Sequence, residues 1–499
     1  MSYVQMFFSV VISLVYTPVM LRLLGQSEYG LYNTAASTVS MLSMLNLGFS
    51  SGYIRYYAQY KKRGDVDAIY KLNGLFLIIF SIIGIIAFAC GFYLTYHLEA
   101  VFQQGLTESE YVTAKTLLML LTIDLAISFP MSVFSSIINA HERFVFVKSI
   151  GILNTVIGPL VTLPLLLMGY KSIGMVLVTV VVSLISYGIN AVYVFSKLKQ
   201  KIRFGKTEQH LMYGLFQYTI FIAINIFVNQ INLNVDKLLL ARFRGTTAVA
   251  IYSVGYMLQH YYQLFSVSIS DLFTPKIHLI YNDLALSVQE KKKQIDTLFI
   301  QVGRIQFALL ALIMTGLVFF GETFILYWAG AGYEEAYYVA LLLIIPLTIP
   351  LIQNTGIEIQ RAQNKHKFRA VAYSIMAIVN LIVSIPLCIS YGPVGSAIGT
   401  AFSFVIANGF IMNLYYYKKM DINIPGFWKS ILSMCKGIIL PVVAGVLMRI
   451  FIKIDSPIIL ILLIVLYSLI FFVSFWLLSL TGDEKDLFKG IGRRILTRR

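Results

Sequence analysis

Four cations stand beside long apolar stretches, where a basic side chain could bind an anionic ligand. Arg22, Lys237 and Arg242 lie near the ends of such stretches, and Arg55 directly follows another. A planar guanidinium group binds phosphate oxygens through paired hydrogen bonds, so these arginines suit a ligand with several phosphate charges. The same positions also suit the anchoring of a helix end at a membrane surface. We therefore take all four cations as candidate ligand-binding residues, with anchoring as the alternative.

One carboxylate lies deep within an apolar stretch. Asp124 falls near the middle of the segment 114–138, where a charged side chain costs about 2.5–3.5 kcal/mol unless it faces protein or water. Two roles fit this position. Asp124 is either a structural partner of a nearby cation or hydroxyl, or a protonatable or ion-coordinating group that couples a transport cycle.

A polar stripe runs along another apolar stretch. Asn225, Asn229, Asn232 and Asp236 are separated by steps of four, three and four residues, which places them on one face of a helix. Such a stripe favours a water-filled cavity, and hydrogen bonding between helices is the alternative. Lys237 points about 100° away from Asp236, so the two charges do not simply neutralise each other.

Membrane helices must position these residues. The 499-residue chain is 58% hydrophobic and 12% charged, with a mean hydropathy of +0.79, whereas soluble domains carry about 25% charged residues. We therefore predict an all-α integral membrane protein, with a retained first helix and about fourteen transmembrane helices. The fourteen apolar segments are 4–24, 31–54, 73–94, 114–138, 146–167, 173–195, 215–239, 248–273, 298–320, 336–360, 368–389, 394–417, 427–450 and 458–480.

The basic residues predict the orientation of these helices. With the N-terminus in the cytoplasm, 29 of the 39 lysines and arginines fall in inner loops and the tail, against eight at the outer side. The positive-inside rule then places both termini in the cytoplasm. This bias also explains the net charge of +16 without a nucleic-acid partner.

An internal repeat with an offset of 220 residues indicates two lobes. Arg22 matches Arg242, Gly25 matches Gly245, and Tyr32 matches Tyr252. A parallel repeat of six helices is typical of transporters with a central cleft. We predict an N-terminal six-helix lobe (1–196), a basic cytoplasmic linker (197–213), a C-terminal six-helix lobe (214–420), an appended helix pair (421–482) and a basic cytoplasmic tail (483–499).

Enzyme, metal and cofactor signatures are weak. The pattern Gly48-x-Ser50-x-Gly52 matches a nucleophile elbow, but it lies inside an apolar segment and lacks the required preceding strand. The six histidines have no metal-ligand spacing, and the three cysteines lie in apolar stretches. We therefore expect no catalytic residues, no metal site and no cofactor.

Four short segments carry a family resemblance. LGQSEYGLY (24–32), LGF (47–49), YIRY (53–56) and NVDKLLL (234–240) resemble bacterial polysaccharide transporters. Those proteins are flippases for lipid-linked oligosaccharides within the multidrug/oligosaccharidyl-lipid/polysaccharide exporter superfamily. The resemblance covers most of the chain in its helix layout.

The resemblance implies a function, a location and partners. It implies a flippase of the bacterial cytoplasmic (inner) membrane that moves a polyprenyl-pyrophosphate-linked oligosaccharide by alternating access, for O-antigen, lipopolysaccharide, capsule or exopolysaccharide synthesis. Arg22 and Arg242 would then flank one cleft. The implied partners are the lipid-linked cargo, membrane lipids and a polysaccharide polymerase machinery. Two alternatives stay open: a cation-coupled multidrug antiporter of the same superfamily and a flippase for the peptidoglycan precursor. The short outer loop 95–113 argues against a membrane-bound polymerase.

Overall fold

The structure is a computed structural model that describes residues 2–102, 106–205, 209–363, 365–482 and 484–486. Within these ranges the chain is helical and has no strand, which confirms the all-α prediction. The helices are α1 (Ser2–Leu24), α2 (Gln26–Leu42), α3 (Phe49–Arg63), α4 (Val66–Tyr96), α5 (Glu108–Ala140), α6 (Phe144–Leu167), α7 (Lys171–Ser196), α8 (Gln209–Arg244), α9 (Thr246–Asn282), α10 (Val288–Trp328), α11 (Glu335–Ile352), α12 (Thr355–Ala362), α13 (His366–Phe404), α14 (Asn413–Lys419), α15 (Ile424–Met434), α16 (Lys436–Phe451) and α17 (Pro457–Leu478).

Eleven helices of the described residues are long and apolar enough to cross a membrane. The predicted segment 31–54 is not among them, because the helix breaks between α2 and α3. Leu47 (φ 48°) and Gly48 (φ 74°) both adopt the left-handed conformation there. Segment 248–273 also lies outside the eleven, since α9 interrupts its apolar residues with polar ones.

Two further predicted segments fall within a single one of the eleven apolar helices. Segments 368–389 and 394–417 both fall within Lys367–Lys419. The chain turns sharply between them at Gly392, whose φ of 59° and ψ of −133° are not helical. A glycine adopts this conformation without the steric cost of a Cβ. With these differences, the fourteen predicted segments and the eleven apolar helices describe the same layout.

By its internal contacts the chain divides into two compact units. Unit 1 contains Met1–Ser253 and Leu381–Ser396, and unit 2 contains Val254–Asn380 and Ala397–Arg499. The lobe boundaries given above stay predictions.

Unit 1 packs α4 along α5, and α5 along α7. Phe76 and Phe80 of α4 and Val133 and Ile137 of α5 are completely buried in this core. In contrast, Ile85 of α4 is 69% exposed. Helices that bury one face and expose large apolar side chains on another need an apolar solvent, which a bilayer provides.

Unit 2 is built around α10, which packs against α11, α15 and α17. Phe299 of α10 and Phe427 of α15 are completely buried, and their ring centroids are 4.9 Å apart. Tyr467 of α17 packs against Phe320. The predicted appended helices therefore share a core with α10.

The two copies of the repeat form similar corners in unit 1. Gly25 joins α1 to α2 with a φ of 76°, and Gly245 joins α8 to α9 with a φ of 82°. The first corner also contacts the second directly. A Cβ on Gly30 would lie 1.8 Å from the Thr246 carbonyl oxygen, so this close approach requires a glycine.

Candidate functional site

The three candidate arginines all lie on exposed helix surfaces of unit 1. Arg22 lies in the last turn of α1 and Arg242 in the last turn of α8, each three residues before a left-handed glycine. Arg55 lies on α3, and its guanidinium carbon is 4.6 Å from the ring centroid of Tyr218 on α8. The structure therefore gives Arg22 and Arg242 equivalent local positions and places Arg55 beside α8.

Arg244 has a structural role that sequence reasoning did not single out. Its guanidinium group donates hydrogen bonds to the carbonyl oxygens of Cys388, Ile389 and Ser390, at 3.2, 2.5 and 2.8 Å. These carbonyls precede the turn at Gly392. Arg244 therefore binds backbone oxygens that the turn leaves without helical partners.

Asp236 is the most buried of the candidate residues, with 3% of its surface exposed. Tyr252 donates a hydrogen bond to Oδ2 and Ser396 donates one to Oδ1, both at 2.7 Å. These donors come from α9 and α13, so the carboxylate connects three helices. Lys237, the next residue, is half-buried. Hydroxyl donors of this kind stabilise an ionised carboxylate.

The other members of the predicted stripe have a different environment from Asp236. Asn225 and Asn229 are exposed, and Asn232 is half-buried. The sequence spacing correctly places them along one helix. It does not predict that neighbouring helices cover the Asp236 end of the stripe and leave the Asn225 end exposed.

Two amides of α8 outside the predicted stripe form a hydrogen-bonded connection to α2. Asn234 Nδ2 donates to Gln230 Oε1 at 2.8 Å, and Gln230 Nε2 donates to Ser43 Oγ at 3.0 Å. Ser40 also donates to Gln230 Oε1 at 3.3 Å. Asn234 belongs to the segment 234–240 that resembles the polysaccharide transporters, and these amides connect α8 to the end of α2.

Asp124 is half-buried in α5, and Ser183 of α7 is its polar neighbour. Its Oδ1 atom is buried and has no hydrogen-bond donor among the described residues. No ion pair joins it to a cation in that part of the chain. Tyr187 is the titratable neighbour, and Ser183 and Ser128 lie near its hydroxyl. A carboxyl group in such surroundings is stable when it is protonated or when it holds a cation.

The described part of the predicted linker is attached to unit 1. Asn73, which is completely buried, accepts a hydrogen bond from Tyr53 at 2.6 Å and donates one to the Lys201 carbonyl at 2.9 Å. Arg203 pairs with Asp67 at 2.5 Å. Residues 206–208 of the linker lie outside the described residues.

A histidine lies at the same end of unit 1, between α5 and α6. His141 Nε2 is 3.0 Å from the Tyr57 hydroxyl, and its Nδ1 is 2.9 Å from the Ile137 carbonyl. Burial, together with the nearby Lys61 and Arg143, lowers the pKa of His141 below its ordinary value. The ring is therefore neutral at pH 7 and contributes hydrogen bonds rather than charge.

No group of three or more potential metal ligands occurs among the described residues. The sites in the described ranges are thus made of hydrogen-bonding groups and separate charges.

Comparison with known structures identifies the fold. The chain superposes on the lipid II flippase MurJ in an inward closed conformation with a TM-score of 0.73, covering 95% of this chain and 97% of that one at 18% identity. An inward-facing multidrug resistance MATE family transporter of the MOP superfamily gives a TM-score of 0.63, with 85% and 99% covered at 12% identity. A MOP superfamily transporter from Pyrococcus furiosus gives 0.57, with 83% and 95% covered at 13% identity.

Comparison of sequences identifies the family. No curated protein matches the chain. The model of one protein family, described as polysaccharide biosynthesis protein, matches residues 2–273. That range is more than half of the 499 residues and contains all nine candidate residues. The chain is therefore a multi-pass membrane protein that belongs to the polysaccharide biosynthesis protein family.

Proposed function

We propose that this protein is a flippase of the bacterial cytoplasmic membrane. Its cargo is an oligosaccharide linked to polyprenyl pyrophosphate, used to build a surface polysaccharide such as O-antigen, capsule or exopolysaccharide. The observation that carries the proposal is the family match over residues 2–273, and the likeness to the lipid II flippase fold along 95% of the chain supports it.

The exposed arginines of unit 1 are the proposed contacts of the pyrophosphate. Arg22 and Arg242 occupy equivalent helix ends, and Arg55 lies on α3 against an aromatic ring of α8. A guanidinium group keeps its positive charge at any physiological pH, so its attraction for phosphate oxygens does not depend on protonation. Lys237 is proposed as a weaker contact of the pyrophosphate, since it is half-buried beside the hydrogen-bonded Asp236.

The carboxylates are the proposed coupling groups. Asp124 has one buried oxygen without a donor among the described residues, so gain or loss of a proton or cation there changes the energy of the surrounding helices. Asn225, Asn229 and Asn232 are proposed to line a hydrated path near Asp236. We further propose that both termini lie in the cytoplasm. A polysaccharide polymerase is the proposed protein partner.

Two other cargoes have specific observations in their favour. The match to the lipid II flippase fold is consistent with a peptidoglycan precursor, which also carries a polyprenyl pyrophosphate. The matches to multidrug transporters are consistent with a cation-coupled antiporter. The antiporter predicts that transport depends on the carboxylates but not on the arginines, whereas a pyrophosphate cargo predicts that transport also depends on the arginines.

Deletion of the gene tests the proposal. The unpolymerised lipid-linked intermediate is expected to accumulate on the cytoplasmic face, and the wild-type gene should restore export. The double variant Arg22→Ala plus Arg242→Ala should fail to do so. Arg449→Ala is the matched control, because Arg449 is an exposed arginine in the last turn of α16.

Each outcome has a separate meaning. Rescue by the double variant would discard the arginine site and keep the function. Normal surface polysaccharide in the deletion strain would contradict the flippase proposal. Accumulation of the peptidoglycan precursor instead would change the cargo.

A further inference from the structure

An open cavity of about 570 Å³ lies within unit 1, and Arg55, Asp124 and Asp236 are not part of its lining. Three parts of the chain line it: the turn from α1 to α2, the start of α5, and the turn from α6 to α7. In the predicted orientation these parts face the outer side of the membrane. The volume is within the roughly 300–1,000 Å³ typical of small-molecule sites.

The cavity has a mixed polar and apolar lining. The apolar residues are Leu24, Leu31 and Ile173. The polar side chains are those of Gln26, Ser27, Glu28, Thr107, Ser109, Glu110, Thr113, Tyr170 and Lys171. Hydroxyl, amide and carboxylate groups together offer both donors and acceptors to a ligand that itself has many hydroxyl groups.

The charges of the lining disfavour an anion. Among the described residues, Lys171 is the one cation of the lining, and its Nζ lies 3.2 Å from Glu28. Glu110 adds a second carboxylate, so the cavity carries a net negative charge. A pyrophosphate therefore has no unneutralised cation to bind here, whereas a neutral or amino sugar meets acceptors for its hydroxyl and amino groups.

The two glutamates also hold the walls in place. Glu28 accepts hydrogen bonds from the Ser172 amide at 3.1 Å and from the Ser172 hydroxyl at 2.8 Å, which fixes the start of α7. Glu110 accepts hydrogen bonds from the Ser27 hydroxyl and from the Thr107 amide, which joins α2 to α5. The cavity is thus already formed without a ligand, and little ordering is needed on binding.

Two further groups suit a sugar ring. Tyr170 lines the cavity and is 54% exposed, so its ring is available to stack on the C–H face of a pyranose. Gln26 Nε2 is buried and has no hydrogen-bond acceptor among the described residues. It could donate to a sugar hydroxyl only after the Gln26 side chain rotates toward the cavity.

From these observations we infer that the cavity between the corners at Gly25, Glu110 and Tyr170 binds a neutral or amino sugar residue of the cargo at the outer face of the membrane. The inference rests on the proposed flippase function and adds a sugar site that is separate from the arginines. Ser27 connects this site to α9, because its hydroxyl lies 3.1 Å from the Thr246 hydroxyl as well as contacting Glu110. We therefore expect ligand binding in the cavity to affect the contact between the two repeat corners.

Binding to the full-length protein in lipid nanodiscs tests the inference. The probe is the repeat-unit oligosaccharide obtained by hydrolysis of the host's own surface polysaccharide, followed by saturation-transfer NMR and calorimetry. Ser109→Trp should fill the cavity and weaken saccharide binding at least tenfold. Val112→Trp is the matched control, because Val112 is a 60% exposed residue of the same helix that does not line the cavity.

Inorganic pyrophosphate serves as the second probe. Its binding should be unchanged in Ser109→Trp and reduced in the double variant Arg22→Ala plus Arg242→Ala. Equal saccharide binding by wild type and Ser109→Trp, or no saccharide binding by a wild-type protein that complements the deletion strain, would overturn the inference. If saccharide binding is weakened by Ser109→Trp but deletion of the gene leaves polysaccharide export normal, the sugar site is supported and the flippase function is contradicted.

Discussion

Arg304 on α10 and Glu484, which follows α17, form a buried ion pair within unit 2. Arg304 is 5% exposed and Glu484 is 8% exposed. The guanidinium Nε donates to Oε1 at 2.6 Å and Nη2 donates to Oε2 at 2.9 Å. Nη2 also donates to the Ser479 carbonyl, and Nη1 donates to the Ser430 carbonyl. One arginine thus holds the chain after α17 and the helix α15 against α10.

Removal of this arginine should destabilise unit 2. Arg304→Met leaves a buried carboxylate without its partner, which costs about 3–5 kcal/mol in comparable buried pairs. We expect a clear drop in the thermal unfolding temperature in detergent. Arg449→Met is the control, since Arg449 pairs with Glu322 at an exposed surface, where an ion pair contributes about 0–1 kcal/mol. Equal unfolding temperatures for the two variants would contradict the role given to Arg304.

Attachment of the segment after α17 should depend on pH. Burial raises the pKa of Glu484, but the hydrogen bonds from Arg304 and Thr481 outweigh it and hold the pKa below its ordinary value. A carboxyl group with a lowered pKa in the folded state stabilises that state at neutral pH, and the contribution is lost as the pH falls through its folded pKa. Hydrogen exchange after α17, corrected for intrinsic rates, should therefore stay constant from pH 7 to about 5 and rise as the pH falls below the ordinary glutamate pKa of 4.5. The same pH change should have a smaller effect in Glu484→Gln, and an identical effect would exclude this carboxylate as the cause.

A methyl group at Gly30 should disturb the contact between the repeat corners. The added Cβ would overlap the Thr246 carbonyl oxygen, and neither atom belongs to a flexible side chain. We expect Gly30→Ala to reduce both the folded yield by size-exclusion chromatography and the complementation of a deletion strain. Gly158→Ala is the control, because Gly158 is also inside a helix and a Cβ there meets nothing within 4 Å. If both variants behave like wild type, the close contact between Gly30 and Thr246 is not required for folding or function.

Loss of one hydroxyl beside Asp236 should reduce stability. Tyr252→Phe removes a hydrogen bond to a carboxylate that is 3% exposed, and an unsatisfied buried partner costs about 1–3 kcal/mol. The unfolding temperature should fall, whereas removal of the hydroxyl of the exposed Tyr417 should leave it unchanged. No change in Tyr252→Phe would show that other groups satisfy the carboxylate.

Neutralisation of Asp124 should separate coupling from folding. Asp124→Asn keeps the shape of the side chain and a polar group beside Ser183 but cannot release a proton. Transport into proteoliposomes should lose its response to an imposed proton or sodium gradient while the unfolding temperature is retained or raised. Asp124→Glu should preserve part of the response. A full response in Asp124→Asn would assign coupling to another group.

The class of protein and the layout of its helices could be predicted from local sequence. A helix that crosses a bilayer must satisfy its own backbone and present apolar side chains over about 20 residues. Both requirements act within one segment, so hydropathy reports them directly. The repeat could be recognised for a similar reason. Gly25 and Gly245 each form a corner with a positive φ, a conformation that favours glycine, so the requirement is visible in the residue type. The short segments around 24–32 and 234–240 pointed to the family that the match over 2–273 confirms.

The sequence alone thus determined an all-α membrane protein, its helical segments, its repeat and its family. Only the tertiary structure decided which polar residues are buried together. Asp236 meets a hydroxyl 160 residues away at Ser396, and Arg304 meets a carboxylate 180 residues away at Glu484. The helix break at Leu47 and Gly48 and the cavity between three corners also depend on packing. Such contacts arise from the positions of whole helices, and no pattern within a single helix encodes its partner.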